Sequence, residues 1–130
     1  MERGMTRELP FEFTDEEVVA ATDAHVARLP TELASKSELL QALSKQLRLP
    51  GYFGFNWDAL SDCLRDSSWL ETRNLVLVHA ELPPLPPEEC RTYLLILAEA
   101  VDTWRLADGR ELRVVFPAEA RVEAVAALAK

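Results

Sequence analysis

The sequence predicts an α/β fold: a small three-stranded parallel sheet with helices packed on it. Three observations lead there. "NLVLVHA" (74–80) is a short apolar, β-branched run with the length and composition of a buried strand, "ELRVVF" (111–116) reads as another strand, and "HVARL" (25–29) alternates weakly like a third. Between them, leucines and aromatics recur every three to four residues, the period of a helix with one face in a core. Strands joined through helices return to the same end of the sheet, which makes neighbouring strands parallel and their crossovers right-handed. An extra N-terminal segment and a C-terminal helix lie outside this frame, and the 130 residues are read as one domain.

The elements follow in order. "FEF" at 11–13 alternates like a short strand. Thr14 and Glu17 then form a capping box, which predicts a short helix over about 15–23. After the 25–29 strand, Ser35 and Glu38 make a second capping box. Leu39, Leu40, Leu43 and Leu47 follow at helical spacing, and Pro50 and Gly51 are expected to stop that helix. Asn56 is a good N-cap for a helix over about 57–66, in which Trp57, Leu60 and Leu64 form the apolar stripe with Cys63 beside it. "ELPPLPPEE" is a proline-rich turn whose Pro86 and Pro87 suit a helix start. From Glu88 to about Trp104 the stripe is Tyr93, Leu94, Leu97, Val101 and Trp104, widened by Leu95 and Ile96. "ADG" at 107–109 is a turn, Pro117 ends the last strand, and the remaining residues read as an amphipathic helix.

Composition narrows the function. Hydrophobic residues make up 48% of the chain, too many for a disordered protein. No apolar run approaches the ~18 residues that span a membrane. "MERGMTRELPFEF" has no basic-then-apolar leader pattern, so a cytoplasmic protein without membrane partners is expected. Cys63 and Cys90 are too few for a disulfide framework and read as buried reduced thiols. The formal net charge of −8 argues against direct nucleic-acid binding, which needs Lys and Arg against phosphate, and permits a basic protein partner. The charge is concentrated: residues 55–89 hold seven acids against two bases.

No glycine loop for phosphates, nucleophile elbow or zinc spacing is present, and no cofactor or metal is expected. His25 and His79 lie far apart and read as structural or surface residues. The distinctive feature is "YFGFNWDALSDCLRD" at 52–66, an aromatic loop followed by Asp58, Asp62 and Asp66 at a spacing of four. On a helix these stack on one face, about 100° from the Trp57 line, and repel by a few tenths of a kcal/mol per pair. Such a stripe is ordinarily a solvated helix face. Asp58 and Asp62 could also ligate a metal or act as an acid/base pair, although no matching histidine, glycine turn or third ligand accompanies them.

"LPGYFGFNWDALSDCLRD" at 49–66 resembles the signature of the barstar family of intracellular ribonuclease inhibitors. The similarity runs through Leu49-Pro50, Tyr52, Gly54, Asn56, Asp58-Ala59-Leu60 and Asp62-Cys63-Leu64, and extends over about 23–117. The resemblance implies a non-catalytic protein whose loop and following helix plug the active site of a secreted or toxin-type basic ribonuclease. The free inhibitor would be a monomer and the complex 1:1. It places the loop aromatic on Tyr52, a close-approach glycine on Gly54, the loop asparagine on Asn56, interface aspartates on Asp58 and Asp62, and a further glutamate on Glu99. The family's interface tryptophan falls on Ser61. Two other readings stay open: an interaction domain for some other basic protein, and a carboxylate-dependent hydrolase.

Overall fold

The structure, a computed structural model, describes residues 9–20, 22–106 and 109–129. The leader reading of the first residues and most of the predicted 107–109 turn lie outside these. Four strands form one sheet: β1 (Glu12–Phe13), β2 (Ala24–Leu29), β3 (Asn74–His79) and β4 (Leu112–Phe116). Their spatial order is β1-β4-β3-β2, and every neighbouring pair is parallel. The helices are α1 (Lys36–Leu47), α2 (Trp57–Arg65), α3 (Pro87–Arg105) and α4 (Ala120–Leu128), with a 3₁₀ turn at Ser67–Trp69.

Register explains the core. Val26 pairs with Val76 and Leu77 with Val114, so residues two apart along each strand share a face. Ala27 and Leu29, Leu75 and Leu77, and Leu112, Val114 and Phe116 join the helical leucines in one buried cluster. From α1 come Leu39, Leu40, Leu43 and Leu47, and from α3 Tyr93, Leu94, Leu97, Val101 and Trp104. Both stripes are those the sequence marks. Crossovers of one hand that step the same way across the sheet put these helices on one face.

His79 lies on that face, 3% exposed, and is the one buried ionisable side chain outside the cysteines and Tyr93 among the described residues. Its Nδ1 lies 3.0 Å from the Val115 carbonyl and its Nε2 2.7 Å from the Tyr93 hydroxyl. Its ring stacks on Phe116 at 4.0 Å. Nδ1–H donates to the carbonyl, and Nε2 accepts from the hydroxyl. Burial lowers its pKa from 6.5 to about 4, against a raising contribution from the Val115 hydrogen bond.

Four expectations need correction. The sheet has four strands, because Glu12 and Phe13 add to β4, and Thr14 N–H continues the pairing to Phe116 O at 2.9 Å. No helix forms over 15–20: Thr14 Oγ1 accepts from Glu16 N–H in a tight turn instead of capping one. Long-range bonds hold that segment, with Arg113 Nη1 donating to Val19 O at 2.9 Å and Ala118 N–H to Asp15 at 3.0 Å. α1 ends before Pro50 and Gly51: Arg48 takes the left-handed conformation (φ 60°), and both it and Leu49 donate to Ser44 O. α4 forms but is not amphipathic. It buries Ala120 and Ala124 while Val122 stays 76% exposed.

Candidate functional site

The loop between α1 and α2 is fastened at both ends. Phe53 N–H donates to Pro50 O at 3.0 Å, and the Phe53 ring is buried in the core. At the far end Asn56 caps α2, its Oδ1 accepting from Ala59 N–H at 2.7 Å and its Nδ2 donating to Gly54 O at 3.3 Å. The Asn56 amide is thus used internally, to hold the loop against the helix. Tyr52 is 75% exposed and Phe55 51%. Phe55 sits at φ 56°, a conformation that costs a bulky L-residue about 1–2 kcal/mol. At Gly54 the free chain does not require glycine: an added Cβ would meet its nearest atoms at 3.4 Å and 3.6 Å, ordinary contact.

α2 turns its apolar side inward. Leu60, Cys63 and Leu64 are buried, and Trp57 is half-buried with its ring 6.2 Å from that of Tyr93. Three of the last carbonyls of the helix, orphans in an isolated helix, find donors. Asp66 N–H serves Asp62 O, Trp69 Nε1–H serves Cys63 O at 2.7 Å, and Trp104 Nε1–H serves Leu64 O at 2.7 Å. With packing against α3 this makes α2 a rigid mount, and Asp58 and Asp62 stand exposed on its outer side.

The three-aspartate stripe is modified at its end. Asp66 is the C-cap, in extended conformation, and its Oδ1 accepts from Ser68 N–H to start the 3₁₀ turn. Asp62 has a resident counter-ion, Arg65, whose Nη2 donates to Oδ1 at 2.9 Å. Asp58 has no side-chain partner among the described residues.

The structure brings some of the expected residues together and not others. Tyr52, Asp62, Cys63, Arg65 and Asp66 line a shallow hollow of about 410 Å³. Asp58 lies one turn earlier on α2, and Gly54 and Asn56 lie in the loop that leads into it. Glu99 is exposed on α3 and stands outside the hollow. Burial, then the charges of Asp62 and Asp66, raise the Cys63 thiol's pKa, so it stays protonated and is a poor nucleophile. His25 is bound to Gln46 O at 2.8 Å, away from the aspartates. No group of three His, Cys, Asp or Glu side chains among the described residues could hold a metal. The Arg65 pairing, three residues from Asp62, has a local signature in its helical spacing. The two indole bonds have no local signature.

A family model described as "Barstar (barnase inhibitor)" matches residues 24–117. The match begins with the first residue of β2 and ends just after β4. It takes in the loop and α2 and leaves out β1 and α4.

Proposed function

The chain belongs to the barstar family, and we propose that its 51–56 loop and the exposed face of α2 plug the active site of a basic ribonuclease. Membership places it among non-catalytic proteins of the ribonuclease-inhibitor type. The finer reading rests on one observation: Asp58 and Asp62 are displayed on a helix whose opposite face packs in the core, whose start is capped by Asn56 and whose last turn is bonded by Trp69 and Trp104. Mutual repulsion on such a mount is unrelieved in the free protein, apart from Arg65, and is offset when cations receive it. An active site that binds RNA phosphates supplies those cations, and two carboxylates one helical turn apart imitate successive negative groups of the backbone. Tyr52 adds an exposed ring at the edge. Gly54, where the free chain has room for a side chain, leaves space for the enzyme's close approach. Glu99 extends the acidic surface onto α3.

On this reading the protein acts in the cytoplasm, as a monomer until it forms a 1:1 complex with a secreted or toxin-type ribonuclease. The test is inhibition of RNA cleavage by a panel of basic microbial ribonucleases, barnase first. At least one should be inhibited at 1:1 stoichiometry, with association slowing steeply as salt rises while dissociation changes little. Inhibition of none, together with capture of a basic protein that cleaves no RNA, would show that the fold serves another partner.

A further inference from the structure

We propose that the cleft between α1 and the 51–56 loop is a second subsite of the binding face. It takes an apolar side chain flanked by a carboxylate on the bound enzyme. The proposal rests on the ribonuclease-inhibitor reading above and adds a surface of opposite charge to it. The cleft holds about 520 Å³ and includes Lys36, Leu40, Ser44, Lys45 and Phe55 in its lining. No carboxylate lines it, although the chain as a whole carries a net charge of −8.

Three features point to a ligand. The loop holds Phe55 in the left-handed region, where glycine is at ease, yet presents a phenyl ring 51% exposed. The Phe53 ring backs one side of it at 4.9 Å, which braces the other side for contact. Strained residues kept in place by their surroundings gather at binding sites, and exposed aromatics are the usual anchors of interfaces. Second, Lys36 lies in the first turn of α1, where the helix dipole disfavours a cation, so helix stability does not account for it. Its Nζ sits 5.8 Å over the Trp57 ring, at the start of α2. Third, the cleft is continuous with the proposed interface: Phe55 immediately precedes the cap of α2, three residues from both Asp58 and Tyr52. An enzyme segment reaching past α2 would meet an aromatic rim and two ammonium groups. Its complement is an apolar residue beside an Asp or Glu.

The sign of the charge effect makes the proposal testable. The probe is the panel ribonuclease that the wild-type chain inhibits. Phe55→Gly should weaken that complex at least tenfold, with a melting temperature unchanged or raised because the left-handed position is relieved. Lys36→Glu should weaken it severalfold although it makes the inhibitor more acidic. Arg28→Glu, the same charge change at an exposed position on β2, should leave binding unchanged or tighten it through simple attraction to a basic enzyme. If Lys36→Glu tightens the complex as Arg28→Glu does, or Phe55→Gly leaves the dissociation constant within twofold, the second subsite is wrong while the inhibitor reading stands. If the wild-type chain inhibits no ribonuclease, both are wrong.

Discussion

Lowering the pH from 7 to 5 should cost the fold about 2 kcal/mol through one side chain, His79. In the folded protein its imidazole is neutral, enclosed by Phe116, Tyr93 and the Val115 carbonyl. Its pKa is about 4 there, against 6.5 for an unburied histidine. The unfolded chain therefore takes up a proton between these values while the folded chain does not, so stability rises with pH across the window. The contribution is complete above about pH 6.5, is lost progressively as pH falls, and levels off near pH 4 when the folded imidazole also protonates. The full gap corresponds to about 3 kcal/mol, of which the span from pH 7 to 5 covers about 2. Glu12, whose pKa Arg113 lowers by hydrogen bonding, stays ionised in both states over most of this span, so the histidine dominates. The assay is urea unfolding at pH 7, 6 and 5 for the wild type and His79→Gln. The wild type should lose stability in steps and the variant much less. Equal pH slopes in the two proteins, or a flat wild type, would refute the assignment.

Removing the resident counter-ion by Arg65→Ala should speed association with the ribonuclease and tighten the complex by a fewfold, since an exposed pair is worth about 0–1 kcal/mol; stopped-flow binding measures it. Trp104→Phe leaves the Leu64 carbonyl unpaired in the core and removes an indole 5.3 Å from the Arg110 guanidinium, so chemical unfolding should show a loss of about 1–3 kcal/mol. Cys63→Ala and Cys90→Ala should each preserve inhibition with only a packing cost, because both thiols are buried and free and burial raises both pKa values. Loss of inhibition in a folded cysteine variant would show that a thiol takes part.

What the sequence disclosed about this molecule was local. Ser35 and Asn56 cap their helices as their positions suggest, since a cap needs only the next three residues. The leucines of α1 and the apolar run of β3 are likewise visible in short windows. Thr14 had the same kind of local signal and was misleading. Its segment is held by Arg113 and Ala118, roughly a hundred positions away, and those bonds fix a conformation that the capping box does not reveal. The site divides along the same line. The exposure of Asp58 and Asp62 follows from helical phase, given the buried Leu60 and Leu64. Asp66 departs from that phase because its backbone has already left the helix. The indole bonds that hold the end of α2 join residues 6 and 40 positions apart, and the left-handed backbone at Phe55 follows from no residue preference.

The most direct test of the inhibitory face is Asp62→Ala, with the inhibition constant and the unfolding free energy measured on the same preparation. The outer position of Asp62 and its exposed pairing with Arg65 imply that stability moves by no more than about 0.5 kcal/mol, since the lost ion pair and the relieved repulsion nearly cancel. Inhibition should weaken by about 2–5 kcal/mol, the general range for truncating one partner of a charge pair buried in an interface; barnase with barstar is itself among the systems that define such ranges. Much of that loss is an enzyme cation left without a partner. Asp58→Ala should cost less, and Asp66→Ala under about 1 kcal/mol. An Asp62→Ala protein that inhibits as well as the wild type, or one that fails to fold, would contradict the assignment of α2 as the inhibitory face.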